Sequence, residues 1–137
     1  MINAPVEAVF AFHERPDALL LLTPPFPPVK VVSKSGGLEP GSRVELRVGF
    51  LPWVAVHTTY ERNRLFVDEQ VQGPFAQWTH RHHFERVGER TRLTDQVDFR
   101  LPGGGLVNAA LGWAVKIGLH QMFRHRHKIT GQYCERA

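Results

Sequence analysis

A chain of 137 residues, 42% apolar and 22% charged, has the composition of a soluble domain. At this size it buries about two-thirds of its unfolded surface, enough for one core across residues 1–137. The net charge of +4 comes from thirteen arginines and four lysines interleaved with acids, which argues for a solvated surface over nucleic-acid binding. The single cysteine, Cys134, excludes an internal disulfide and a cysteine metal site. The longest apolar run, 109–119, contains Lys116 and is too short to span a bilayer. No signal-like leader is visible, and a cytoplasmic protein with no membrane span and no nucleic-acid partner is expected.

The chain opens with NAPVEAVFAFHERP. Asn3 is a candidate helix cap with Pro5 near the first turn, Val6, Val9 and Phe10 recur at helical spacing, and Pro16 ends the helix. A second short helix fits 17–22. TPPFPP, 23–28, forces an extended linker. Strands then follow at 28–34, 43–50, 53–61, 65–72, 77–86 and 91–101. Segment 43–50 is the clearest, alternating Val44, Leu46, Val48 and Phe50 with Arg43, Glu45 and Arg47. Short turns imply antiparallel neighbours. After LPGGG the period changes, and 106–130 reads as one long helix. It carries two apolar stripes, Leu106, Ala110, Trp113, Ile117 and Leu111, Val115, Leu119, Met122. Gly112 and Gly118 inside it suggest close helix–sheet approach or a bend. LPGGG lacks the Lys-Ser/Thr of a phosphate loop and reads as a flexible entry to the helix. The order predicts an α+β fold: a curved antiparallel sheet wrapped on a long C-terminal helix, preceded by two short helices, with a cavity between sheet and helix.

NAPVEAVFAFH, LTPPF, FVDEQVQGPFAQWTHRHHF, TRLTDQVDFRLPGG and the late MFRHRH resemble the START/SRPBCC superfamily, the helix-grip fold shared with pollen-allergen-like proteins, and its bacterial ligand-binding branch in particular. The resemblance spans almost the whole chain and is most specific from Phe66 to Phe84. It implies a hydrophobic cavity for a lipid, polyketide, quinone or similar apolar molecule, and supplies no catalytic motif. The family also places a further strand before the first helix, which here is largely missing. Either the start is truncated or the sheet has an unpaired edge, and such an edge invites a homodimer or a protein-interaction role.

WTHRHH, 78–83, holds three histidines. On a strand, Trp78, His80, His82 and Phe84 share one face and His83 points away. A two-residue turn at Gly88-Glu89 sets Phe84 opposite Leu93, His82 opposite Asp95, His80 opposite Val97 and Trp78 opposite Phe99. A four-residue turn at 73–76 sets Val71 opposite Trp78, Glu69 opposite His80 and Val67 opposite His82. Each inward histidine thereby gains a carboxylate neighbour, Glu69 or Asp95.

Four roles compete for this group. A metal site needs three or four convergent ligands. The HxH pattern resembles a cupin motif, but Glu85 follows too early and no second cupin motif is present, so neither metal nor cofactor is expected. Acid–base catalysis of cyclase or dehydratase type has His80, His82, Glu69 and Asp95 as candidates. A polar wall orienting an apolar ligand is preferred, making the protein a non-enzymatic binding module. A satisfied buried network that binds nothing is the fourth. The expected pocket is Trp78, His80, His82, Phe84, Glu69, Val71, Asp95, Val97 and Phe99, capped by Trp113 and Ile117 from the helix. RHRHK, 124–128, reads as cations at a helix C-terminus. His13, His57 and His120 read as core or surface histidines.

Overall fold

The computed structural model describes residues 1–25 and 28–135. Its elements follow the expected order: α1 (Val6–Glu14), α2 (Ala18–Leu22), β1 (Val29–Ser35), β2 (Arg43–Val48), β3 (Leu51–Glu61), β4 (Leu65–Gln72), β5 (Gln77–Val87), β6 (Arg90–Arg100) and α3 (Gly104–Cys134). The middle of the proline-rich linker, 26 and 27, lies outside the described residues. Pro5, not Asn3, occupies the cap position of α1, and its carbonyl accepts the amides of Ala8 and Val9 at 3.0 and 3.1 Å. Arg15 is extended, as a residue before proline must be, and that ends α1.

The six strands form one antiparallel meander in sequence order. The turns at Gly49-Phe50 and Gly88-Glu89 have two residues, each with its glycine at positive φ, which matches the twist of the flanking strands. β5 and β6 pair in the expected register, including Phe84 with Leu93, His82 with Asp95, His80 with Val97 and Trp78 with Phe99. The β4–β5 register is shifted by one residue from the expected one: His82 faces Phe66, His80 faces Asp68, and Glu69 faces Thr79. The cause is Gln70. Its amide donates to the Phe75 carbonyl at 2.7 Å and accepts the Phe75 amide at 3.2 Å, so a side chain ties the loop. A one-residue slip exchanges the faces of β4.

Alternating strand directions place the 49–50 and 73–76 turns and the start of α3 at one end of the sheet, the open end. The 36–42, 62–64 and 88–89 turns lie at the other, the closed end. There α1 and the C-terminal part of α3 seal the concave face, around Val6, Val9, Phe10, Phe12, Leu22, Phe66, Phe84, Leu93 and Cys134. Phe10 meets Phe84, Tyr60 and Phe66 edge-on, with centroids 4.9, 5.7 and 6.1 Å apart. Ile2 pairs with Thr91 through amide–carbonyl bonds of 2.7 and 2.9 Å. Among the described residues nothing else pairs with the outer edge of β6.

α3 turns Asn108, Gly112, Val115, Leu119, Met122, Arg126, Thr130 and Cys134 toward the sheet, with burial complete only at Thr130 and Cys134. Its N-terminal end is held by Asn108, which bonds both the amide and the carbonyl of Leu101 at 2.8 and 3.0 Å. The expected stripe of Trp113 and Ile117 faces outward, 64% and 52% exposed, because α3 is docked by its distal half. A Cβ at Gly112 or Gly118 would meet open space, so close packing does not explain either glycine.

Candidate functional site

β4, β5, β6 and α3 bring five polar side chains together in the middle of the concave face: Asp68, His80, His82, Asp95 and His127. The two β5 histidines stack with ring centroids 3.6 Å apart. Each reaches diagonally past its direct neighbour. His80 Nε2 donates to Asp95 Oδ1 at 2.7 Å, and His82 Nε2 donates to Asp68 Oδ2 at 2.8 Å. His127 Nε2 donates to the second Asp95 oxygen at 2.6 Å. Phe66 lies flat on the other face of His82 at 3.8 Å, and Phe123 meets His80 edge-on at 5.1 Å.

Burial raises the pKa of both carboxyls, but the histidines outweigh it. The His82 hydrogen bond and the charges of His80 and His82 bring Asp68 to about 2. Bonds from His127 and His80, with the His82 imidazole close by, hold Asp95 far below the ordinary range. Burial lowers the two β5 imidazoles as well, with opposite net results. His80 falls to about 4, because the His82 charge adds to desolvation. His82 rises, because both carboxylates favour its cation. Stacking of that cation on Phe66 works in the same direction. Burial lowers the pKa of Arg126 and the charges of Asp95 and Asp68 oppose it; a guanidinium keeps its charge through such a shift. The two carboxylates thus face Arg126 and a His82 whose cation they favour, with His80 neutral above about pH 4.

The neutral His80 donates through Nε2, so its Nδ1 is a free acceptor. The cationic His82 donates through Nε2, and its Nδ1–H is buried without a hydrogen-bond partner, 3.4 Å from Asp95 Oδ1. An unspent base and an unspent acid thus sit on adjacent rings. Donor atoms of Asp68, His80 and His82 lie within 4.8 Å of one another, close enough for a metal triad. Both Nε2 atoms donate to carboxylates here, so the group stands as hydrogen-bonded pairs.

Toward the open end, Trp53, Phe75, Trp78 and Phe99 pack edge to face, with centroids 4.8–5.7 Å apart. Val97, Phe99 and Trp53 on the sheet, and Val115 and Leu119 on the helix, are only half-buried. Of the sequence-predicted residues, His80, His82 and Asp95 belong to the network, and Trp78, Val97 and Phe99 lie on the same concave face. Phe84 lies in the closed core. Glu69 is on the convex face, accepting the Thr79 hydroxyl at 3.3 Å, and Val71 is exposed there: the register slip exchanged them for Asp68 and Gln70. Trp113 and Ile117 do not cap the concave face. Sequence reasoning missed Asp68, adjacent to the chosen Glu69, and His127, whose signal was its i, i+4 series with Leu119 and Phe123. His127 lines a groove of about 750 Å³ with Met1, Ile2, Phe123, Arg124 and Lys128, and so links the network to the surface.

A curved antiparallel sheet gripping a long C-terminal helix, with a buried Asp–His network between them, defines a helix-grip protein of the START/SRPBCC type. The sequence matches the family described as polyketide cyclase / dehydrase and lipid transport over residues 2–128, and the chain belongs to that family. No curated protein matches the sequence. Among solved structures, the Zhui aromatase/cyclase from Streptomyces sp. R1128 is similar with a TM-score of 0.75 at 14% identity, covering 98% of this chain and 89% of that one. TTHA0849 from Thermus thermophilus gives 0.72 at 16% identity, over 96% and 90%. A START superfamily protein from Mycobacterium smegmatis gives 0.65 at 15%, over 98% and 92%. At these identities the likeness is one of fold.

Proposed function

We propose that the protein binds an apolar small molecule bearing a hydroxyl or keto oxygen in the cleft between the sheet and the N-terminal half of α3. The observation that carries this is the position of the Asp–His network at the border between a sealed aromatic core and a half-buried aromatic cluster. The four rings at the open end offer apolar surface, and His80 Nδ1 offers an acceptor that a ligand hydroxyl can meet. Sites of this kind pair broad apolar walls with a few placed polar groups. Titration of 1-naphthol and of naphthalene against tryptophan fluorescence tests it. The hydroxylated probe binds more tightly, and His80→Leu removes the difference while leaving naphthalene unchanged. Equal affinity of the two probes for the natural protein refutes the polar role of His80.

The second reading is an acid–base enzyme. It rests on the opposite protonation of two stacked imidazoles, since neighbouring groups with pKa values pushed apart are the mark of an acid and a base. His80 would take a proton next to a carbonyl, and His82 would supply one to an oxygen. The aromatase/cyclase among the structural neighbours makes a poly-keto substrate the class to try first. On a turned-over substrate, His80→Ala lowers kcat by roughly 10²–10⁴ with little change in KM. The rate falls below about pH 4, where His80 protonates, and again above the raised His82 value, where the acid is lost. Unchanged kcat in His80→Ala leaves binding as the function.

A further inference from the structure

The open end of the molecule has a charge pattern that its ligand chemistry does not require. Four stretches build it and the helix that leaves it: 23–38, 46–60, 70–84 and 99–134. None contains an aspartate or glutamate; all thirteen acids of the chain lie elsewhere. Lys30, Arg47, Arg100 and Lys116 stand at this end and make no ion pair among the described residues, while Arg124 and Lys128 continue the series along α3. The nearest carboxylates, Glu45 and Asp98, are taken by Arg43 and Arg81.

Large apolar side chains project from the same end. Phe50 at the tip of the β2–β3 turn is 85% exposed, Leu106 in the first turn of α3 is 85% exposed, and Leu51, Leu111 and Trp113 are also exposed. Single exposed apolar residues need no explanation, but a group rimmed by polar charge marks an interaction surface. Phe50 in particular packs on nothing that would justify a phenylalanine at a hairpin tip.

We propose that this open end docks on an anionic lipid bilayer, with Phe50, Leu106 and Trp113 entering the headgroup–acyl boundary and Lys30, Arg47, Arg100 and Lys116 contacting phosphates. Apolar insertion combined with basic residues is the general basis of interfacial binding. Among the described residues no helix is long and apolar enough to cross a membrane, so the protein lies on the surface. A second copy brings the same uncompensated cations and is repelled. A nucleic acid satisfies the cations but leaves Leu106 and Phe50 unexplained. Docking sets the mouth of the cleft against the bilayer, and the surface does not depend on what the cleft binds.

Flotation with vesicles tests this. The protein is expected to float with equimolar phosphatidylcholine and phosphatidylglycerol and to stay behind with phosphatidylcholine alone. Binding should collapse in 1 M salt, where the Debye length is about 3 Å. Each of Arg47→Ser and Lys116→Ser weakens it about fivefold. The double variant Phe50→Ser/Leu106→Ser weakens it at least about tenfold at unchanged salt dependence. Leu20→Ser, an exposed apolar change on α2, leaves it unaltered, and near-ultraviolet circular dichroism verifies that each variant is folded. Equal flotation with phosphatidylcholine alone, or binding untouched by both sets of rim substitutions, overturns the proposal. So does self-association abolished by the rim substitutions without any vesicle binding. Vesicle binding in the absence of small-molecule binding supports the surface and counts only against the cleft.

Discussion

At the closed end of the concave face Phe66, Phe84 and Leu93 of the sheet lie under Phe10 of α1 and the distal part of α3, all four nearly inaccessible to water. At the open end Trp53, Phe75, Trp78 and Phe99 are just as aromatic and pack on each other in the same edge-to-face way, yet all but Trp78 remain half-buried. The composition of the two clusters does not separate them. What differs is the second layer. The closed cluster has two helices pressed on it, whereas the open cluster has only the proximal half of α3, anchored by Asn108 and held off the sheet. The same residue types therefore serve stability at one end and leave surface for a ligand at the other, with the Asp–His network as the divide.

Truncation tests this division most directly. Phe10→Ala is expected to cost about 4 kcal/mol, because a ring in contact with three others leaves a cavity that cannot collapse. Phe75→Ala should cost only about 1–2 kcal/mol, since its ring is half in water already. Urea unfolding of the pair measures the contrast, and equal losses would mean that the open end is a second core. Next in size is Asp95→Ala, at about 3 kcal/mol. It strands the N–H groups of His80 and His127 and leaves the His82 cation with Asp68 alone. The exposed Arg81–Asp98 pair provides the control: Asp98→Asn should cost less than about 1 kcal/mol.

Acid should undo the closed end and the divide before the open end. His13 is buried beside Phe66 and Phe84 and donates Nδ1–H to the Val9 carbonyl at 2.8 Å. Burial pushes it down to about 3, and His80 to about 4. Both are neutral in the folded chain and charge more readily when unfolded. Their contribution is therefore complete above about pH 6.5 and is lost as pH falls from there toward 4 and 3. Each group removes about 1.4 kcal/mol per pH unit over its range. His82 has the opposite sign: its raised value stabilises below 6.5, and that part is lost as pH rises through the folded value. His13→Leu should flatten the acid limb of the stability–pH curve between 6.5 and 3. An unchanged limb means that His13 takes up its proton without unfolding.

The two-residue turn at Gly88-Glu89 was legible in the sequence, which is why Asp95 was found opposite His82, whereas Gly49 and Phe50 were read as the end of a strand and form the β2–β3 turn instead. The β4–β5 loop was not, because its geometry depends on the Gln70 side chain bonding Phe75 across the loop, and residue spacing does not encode such a bond. That one bond accounts for reading Glu69 and Val71 in place of Asp68 and Gln70. His127 was missed for another reason. Its partner Asp95 is 32 positions away, and the rotation of α3 that brings them together is set by the burial of Thr130 and Cys134 further along the helix. The same rotation turns Trp113 and Ile117 outward. The element order and the fold class needed none of this, since they rest on periodicity and turns alone.

The smallest expected effect bears on why the open end stays open. Gly112 faces the cleft from α3 with helical neighbours on both sides and nothing within 4 Å of an added Cβ. Alanine there should raise stability by about 1 kcal/mol through helix propensity alone. Gly118, in equally open space, should gain the same amount. The two differ in position, because Gly118 is exposed and Gly112 lies over the sheet on the half-buried stripe. A methyl group at Gly112 narrows the cleft, so Gly112→Ala should weaken 1-naphthol binding severalfold while Gly118→Ala leaves it unchanged. If both substitutions stabilise equally and neither affects binding, the ligand does not lie beneath the proximal half of α3. The groove beside His127 then becomes the place to look.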